Sequence, residues 1–371
     1  METTVQGFID EFDLLECIQC GVCTGGCPVS IKSGLNIRML MGDLKFIEEV
    51  EIPSEDVLWS CTTCSACEAR CPKELVPFEV IIGMRGITVE EGRIAPTVRD
   101  ALESVFKHGN PWDRARGKRS EWAEGLDLPV FTGEEDLLYY VGCTPAYDPR
   151  CQETARSLVV VFRAAGVNFG TLENEESCCG DPVYGMGEKG LFELLVEDNM
   201  VLFKERGVER MVTTSPHCFN AFKNKYGETG IEVRHYTQLL AELIDEGKLE
   251  FTKGFERTVT YHDPCFLGRQ NEVYDEPRRV LEAVPGLEFM EFDRSRERSV
   301  CCEGGGGRMW MDVAGERLAE SRVRDAVDMG AEVIATACPF CTSTLEDAVL
   351  VTGLEDSVEI MDVAEIVSKI L

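Results

Sequence analysis

Most of the chain is one unit written twice, and this constrains its fold more than any other feature. "LYYVGCTPAYD" and "VTYHDPCFLGRQ" each open a half, "ESCCGDPVYGMG" matches "SVCCEGGGGRMW", and "MVTTSPHCFNAF" matches "VIATACPFCTST". The landmarks keep register: Cys143 and Cys265 are 122 positions apart, while Cys178 and Cys301, Cys179 and Cys302, and Cys218 and Cys341 are each 123 apart. A spacing held over four landmarks marks an internal duplication. Each half reads strand, helix, cysteine pair, helix, strand, with the β-branched runs "ERMVTTS" and "AEVIATA" following helical patterns at 189–206 and 312–329. Such alternation predicts two tandem α/β units, over 134–255 and 256–371, each with a parallel sheet. The cysteines fall at the carboxyl ends of the strands, where such folds present ligands.

Eighteen cysteines in 371 residues need a use. A disulfide scaffold belongs to small secreted domains, whereas the acidic start "METTVQGFIDEFD" lacks the basic region of a signal peptide. No apolar run approaches the roughly 18 residues of a membrane span. These features predict a cytoplasmic protein, peripheral to a membrane only through a partner. The formal charge of −30 would repel phosphate backbones and excludes a nucleic-acid partner. Spaced thiols in such a chain read as ligands for a soft metal.

The first third carries "CIQCGVCTGGCP" and "CTTCSACEARCP", each a C-x2-C-x2-C-x3-C-P run of the two-cluster ferredoxin type. Three close cysteines wrap one cluster face and the fourth points to the neighbouring cluster. The expected ligand sets are therefore Cys17, Cys20, Cys23 and Cys71 for one [4Fe–4S] cubane, and Cys61, Cys64, Cys67 and Cys27 for the other. Zinc fits this spacing less well, because zinc sites rarely add a second x2 step and the terminal proline. Between the motifs, Ile37, Leu40, Met41 and Leu44 recur at helical spacing, which favours an all-helical ferredoxin module over 1–95. This arrangement resembles the α-helical ferredoxin of fumarate reductase and heterodisulfide reductase iron–sulfur subunits. Residues 96–133, rich in charge with Gly and Pro punctuation, read as a linker with one short helix. His108 and the two tryptophans there read as packing and surface residues.

The second half spaces Cys265, Cys301, Cys302, Cys338 and Cys341 as C-x35-C-C-x35-C-x2-C. A CC pair cannot serve two corners of a small cube without strain, so five thiolates suggest an expanded iron–sulfur cluster. Gly304, Gly305, Gly306 and Gly307 are expected to let backbone pass close to that cluster, with N–H groups aimed at sulfide or an incoming anion. The first half offers Cys143, Cys178, Cys179 and Cys218, with Ser215 in the place of Cys338. Its alternatives are a serine oxygen ligand, substitution by Cys151, a degenerate cluster, or none.

These paired repeats are similar to the cysteine-rich CCG domains of the heterodisulfide reductase family, and residues 10–371 resemble its form with a ferredoxin fused to the catalytic subunit. The resemblance implies two cubanes, one noncubane [4Fe–4S] cluster in the second repeat, a second such cluster in the first repeat if its reduced ligand set suffices, and reduction of the mixed disulfide of coenzyme M and coenzyme B. It also implies an electron-donating partner: a membrane cytochrome b, or a soluble flavin or hydrogenase module. Cys301 and Cys302 would sit at the reacting cluster. His262 would donate a proton to the leaving thiolate, oriented by Asp263, with His217 lining the same cleft and Arg308 receiving an anionic substrate group. The rival expectation is an electron-transfer subunit for a flavin dehydrogenase of the lactate or glycolate type, or for a membrane redox complex, with no disulfide chemistry.

Overall fold

The computed structural model describes residues 4–46, 50–311 and 315–371. Its eight strands fall in two four-stranded sheets of identical topology. The first contains β1 (Leu137–Tyr140), β2 (Phe169–Gly170), β3 (Arg210–Thr213) and β4 (Glu232–His235), in the order β2-β1-β3-β4. The second contains β5 (Thr258–Tyr261), β6 (Glu288–Met290), β7 (Val333–Thr336) and β8 (Glu359–Asp362), in the order β6-β5-β7-β8. Every pairing is parallel. Central strands such as "LLYY" and "VIAT" are buried at every position, as a sheet covered on both faces requires. The chain leaves β1 toward one edge and returns as β3 on the other side, so β1/β3 and β5/β7 are topological switch points, the crevices where open α/β sheets bind ligands.

Local chemistry sets the helices between strands. Pro149 opens the Pro149–Ala164 helix, with Asp148 accepting from the Cys151 N–H. The Lys189–Arg206 helix coincides with the sequence expectation and ends at Gly207, whose φ of +67° only glycine adopts cheaply. In the second repeat the corresponding helix is Leu318–Asp328, shorter than the 312–329 pattern. Residues 312–314 lie outside the described residues, and Gly315 at φ +77° turns the chain before Leu318.

The repeats pack by exchanging equivalent helices. Pro149–Ala164, which follows β1, lies on Val363–Ile370, which follows β8; Asp275–Glu282, which follows β5, lies on Tyr236–Asp245, which follows β4. This is a pseudo-two-fold pairing, and one core runs through it. Tyr139 and Val212 of the first sheet share that core with Val259, Tyr261, Val333 and Ala335 of the second. The alternate face of the first sheet, through Leu138, Tyr140 and Met211, packs into a core shared with the ferredoxin module.

The first 95 residues contain helices and no strand among those described. Ile37, Leu40, Met41 and Leu44 are buried, as their spacing predicts. The 96–133 segment is more than a linker with a short helix. Pro96–His108 forms a 13-residue helix, and Asn110, Arg119 and Trp122 beyond it are buried against the repeats. No helix among the described residues is long and apolar enough to cross a membrane.

Candidate iron–sulfur sites

Both ferredoxin loops wind through the same left-handed positions. Gln19 and Gly21 in the first, at φ +57° and +80°, match Thr63 and Ser65 in the second, at +52° and +58°. Three of these four residues are not glycine, and such backbone costs about 1 kcal/mol or more per residue. Cys17, Cys20, Cys23 and Cys71 line a single cavity with Met41, Pro72 and Pro77, so the fourth cysteine of the second motif joins the first three. The reciprocal set is buried together. Burial, then repulsion from Cys61, Cys64 and Cys27, drives the Cys67 thiol well above its usual range, and burial pushes Cys61 up to about 12. Buried thiols that repel one another in their charged form are matched to a cation that binds thiolates, which is the fit expected for iron.

In the second repeat, Cys265 follows β5, Cys338 and Cys341 follow β7, and the Cys301–Cys302 pair closes over the switch point between them. The Cys302 and Cys341 sulfurs are 3.3 Å apart. Cys265 and Cys301 share one buried cluster with Cys64 of the ferredoxin module. All five thiols are at least nine-tenths buried. This set is continuous with the second ferredoxin loop: Cys301 Sγ donates to Thr62 Oγ1 at 3.4 Å, and Arg269 Nε donates to the Cys64 carbonyl at 2.6 Å.

The glycine run serves that junction. A Cβ on Gly305 would lie 2.6 Å from the Thr62 carbonyl oxygen, and one on Gly306 would lie 2.8 Å from that of Cys61. The bulky neighbour that these two glycines admit is ferredoxin backbone. Gly304 abuts Phe340, Met309 and Thr344, and Gly307 abuts Met186. Arg308 is neither a surface residue nor free for an anion, because it is buried, pairs with Glu303 at 3.1 Å and donates to the Trp59 carbonyl.

The two histidines stand in different environments. Asp263 does not orient His262, since both its oxygens accept from Arg278, at 2.7 and 2.9 Å. His262 is 1% exposed with an unpartnered Nδ1, and burial, then repulsion from Arg322, pushes it down to about 3, so its ring is neutral. One of its ring nitrogens lies within 4.8 Å of the Cys302 and Cys341 sulfurs. His217, from the first repeat, crosses to the second. Its ring stacks on Phe266 at 3.9 Å and meets Phe340 at 4.6 Å, while Nδ1 lies 2.6 Å from Asp181 Oδ2. Burial works against its charge, but Asp181, with a hydrogen bond to Cys338, holds it up at about 10. Burial likewise opposes the Cys338 thiolate, yet Cys341 and His217 hold that thiol down at about 5.

The first repeat gathers only four thiols. Cys178, Cys179 and Cys218 lie in one buried core, with Cys143 packed against it. Ser215 Oγ accepts from the His217 N–H at 3.3 Å, capping the Pro216–Asn220 helix. Cys151 does not substitute, because its sulfur faces the second repeat, 3.5 Å from both the Pro339 carbonyl and Ser343 Oγ. Sequence reasoning missed Arg119. Its Nη1 and Nη2 each lie 3.5 Å from Cys143 Sγ, and its only sequence signal is the basic run "RARGKR" in the supposed linker.

Comparison with known proteins agrees with this layout. A model of the cysteine-rich domain CCG matches residues 137–223 and 259–346, and one of the 4Fe-4S dicluster domain matches 13–75. The chain is 37% identical over 332 residues to the probable iron-sulfur-binding oxidoreductase FadF of Bacillus subtilis, covering 86% of this chain and 47% of that one. It is 32% identical to the EtfAB:quinone oxidoreductase of Syntrophomonas wolfei, covering 98% of this chain and 59% of that one. The chain thus spans about half the length of these two relatives. Against one subunit of the dihydromethanophenazine:CoB--CoM heterodisulfide reductase of Methanosarcina barkeri it is 31% identical over 97% of this chain and 94% of the relative. The chain belongs to the iron–sulfur oxidoreductases that join a 4Fe-4S dicluster domain to paired CCG domains, the family that includes this heterodisulfide reductase component.

Proposed function

We propose that the chain conducts electrons through two N-terminal cubanes to a noncubane [4Fe–4S] cluster in its second repeat, and that a small disulfide of the heterodisulfide class is reduced there. Cys17, Cys20, Cys23 and Cys71 would hold the first cubane; Cys27, Cys61, Cys64 and Cys67 the second; and Cys265, Cys301, Cys302, Cys338 and Cys341 the noncubane cluster. When bound, these groups supply one-electron redox chemistry. The observation that carries the reading is the buried cluster in which Cys64, a ligand of the second cubane, packs with Cys265 and Cys301, while Cys301 Sγ donates to Thr62 Oγ1 at 3.4 Å. Reducing a disulfide also needs a proton. His217, paired with Asp181 and set against Cys338, supports proton delivery at the second repeat better than His262, whose ring is neutral. Electrons would enter from a membrane cytochrome b, or from a soluble flavin or hydrogenase module, to a cytoplasmic chain that touches the membrane only through that partner.

A second reading is favoured by Ser215 and by the relative named an EtfAB:quinone oxidoreductase: the same wire serves as the electron-transfer subunit of a flavin dehydrogenase or of a membrane redox complex, with no disulfide turned over. Anaerobic EPR during titration with candidate thiols separates the two. The reductase reading expects a thiol-dependent paramagnetic signal that disappears in Cys301→Ala and Cys302→Ala, together with about four fewer iron atoms per chain and intact cubane signals. Clusters that ignore every thiol would establish the relay instead.

A further inference from the structure

Arg119 is 2% exposed, and its charge is permanent. It reaches the first repeat's thiols from outside the duplicated units. Both terminal nitrogens lie 3.5 Å from Cys143 Sγ, and Nη2 also donates to the Ser177 carbonyl at 3.3 Å, next to Cys178. Glu176 holds the guanidinium in place, its Oε1 accepting from Nη2 at 2.5 Å and Nε at 3.2 Å. The same carboxylate accepts from the Val141 and Gly142 N–H groups, at 2.9 and 2.8 Å, and so fixes the turn that presents Cys143. That turn is tight. Gly142 has φ +85°, and a Cβ there would lie 3.2 Å from Cys218 Sγ.

The second repeat is built differently. Ser299 stands at the position 123 beyond Glu176. Arg269, whose charge acts on Cys265 and Cys301, donates to the carbonyls of Cys64, Glu297 and Ser299, and none of its hydrogen bonds ends on sulfur.

From this asymmetry we propose that Arg119 is a positioning residue that raises the reduction potential of a cluster held by Cys143, Cys178, Cys179 and Cys218. The proposal rests on the reading that these four thiols hold a cluster. Reduction adds negative charge, and a fixed cation hydrogen-bonded to a ligand sulfur in a low-dielectric site favours the reduced state. A set of four thiolates also carries one negative charge fewer than a set of five. Both features act on the first-repeat cluster in the same direction, toward a higher potential.

The test is redox-poised EPR on the anaerobically purified full chain. The first-repeat signal is identified by its loss in Cys179→Ala, and the second-repeat signal by its loss in Cys302→Ala. Arg119→Gln leaves Glu176 as an uncompensated buried carboxylate, so Arg119→Gln combined with Glu176→Gln is measured beside it. At the wild-type midpoint, both variants are expected to raise the oxidised-to-reduced ratio of the first-repeat signal at least tenfold, about 59 mV for a one-electron couple. The second-repeat signal should stay in place, and Arg119→Lys should fall between wild type and Gln. An unshifted first-repeat potential in the double variant overturns the proposal and leaves the four-thiol cluster standing. Iron content and EPR both unchanged by Cys179→Ala would remove that cluster, and the proposal with it.

Discussion

The thiol of Cys301 donates to the hydroxyl of Thr62 at 3.4 Å, a contact between residues 239 positions apart in sequence. Thr62 lies within the second ferredoxin motif and Cys301 opens the second CC pair, so this bond spans the boundary between the ferredoxin module and the second repeat. Around it, side chains aimed at backbone carbonyls fix the two modules.

Arg85 is the main clamp. It is fully buried and donates to the carbonyls of Leu58 and Cys61 in the ferredoxin module, Gly185 in the first repeat and Gly306 in the second. Arg85→Met should orphan these acceptors and lower stability by about 3 kcal/mol or more. The same variant should slow electron arrival at the second repeat. Denaturant unfolding of the anaerobic holoprotein and freeze-quench EPR measure the two effects.

Gly306 adopts φ +61°, and a Cβ there would lie 2.8 Å from the Cys61 carbonyl oxygen. Gly306→Ala is expected to cost roughly 2–4 kcal/mol, combining backbone strain with overpacking. Gly330→Ala is the control, because Gly330 has φ +84° with open space around it, and its expected cost is about 1 kcal/mol. Equal losses in the two variants would refute the close approach at Gly306.

The two histidines should separate kinetically. If a small disulfide is turned over, His217→Gln should lower kcat by about 100-fold or more, as loss of a positioned proton donor does. His262→Gln should lower it less. Steady-state kinetics with a reduced dye as electron donor, across a series of pH values, checks the ranking. A larger loss at His262 would return the proton to the residue beside Cys302 and Cys341.

Asp362 makes stability depend on pH. It lies at the seam between the repeats, where Oδ1 accepts from the Tyr236 hydroxyl at 2.6 Å and Oδ2 has no partner. Burial, then repulsion from Glu365, pushes its carboxyl up to about 8, from an ordinary value of 3.8. Between those values the folded chain keeps a proton that the unfolded chain releases, so this residue's contribution to stability falls as pH rises from about 4 to about 8. Asp362→Asn keeps the cap on Ala364 and the acceptor for Tyr236 while removing that dependence. The wild-type-minus-variant stability difference should therefore change by on the order of 2–4 kcal/mol between pH 5 and pH 8.

The parts legible in the sequence were those with a period or a fixed spacing. The 123-residue register gave both sheets, and the ferredoxin spacing paired Cys71 with Cys17, Cys20 and Cys23, which line one cavity. Side chains that act across modules left no such trace. Nothing around His217 announces that it reaches Cys338 of the other repeat, and Arg119 lies in a segment whose Gly and Pro content reads as linker. The glycine run was visible, but the identity of its neighbour was not, because the Cys61 and Thr62 carbonyls come from a motif some 240 positions away. Arg308 looked available to a substrate, and Asp263 to His262, until their buried partners, Glu303 and Arg278, were in view.

The bare backbone at Gly305 and Gly306, seated on the carbonyls of Thr62 and Cys61, carries a kinetic consequence. In the proposed route, with both modules on one chain and held in contact, passage of an electron from front to back would be a first-order event that waits on no domain swing, and its rate should be the same in a dilute sample as in a concentrated one.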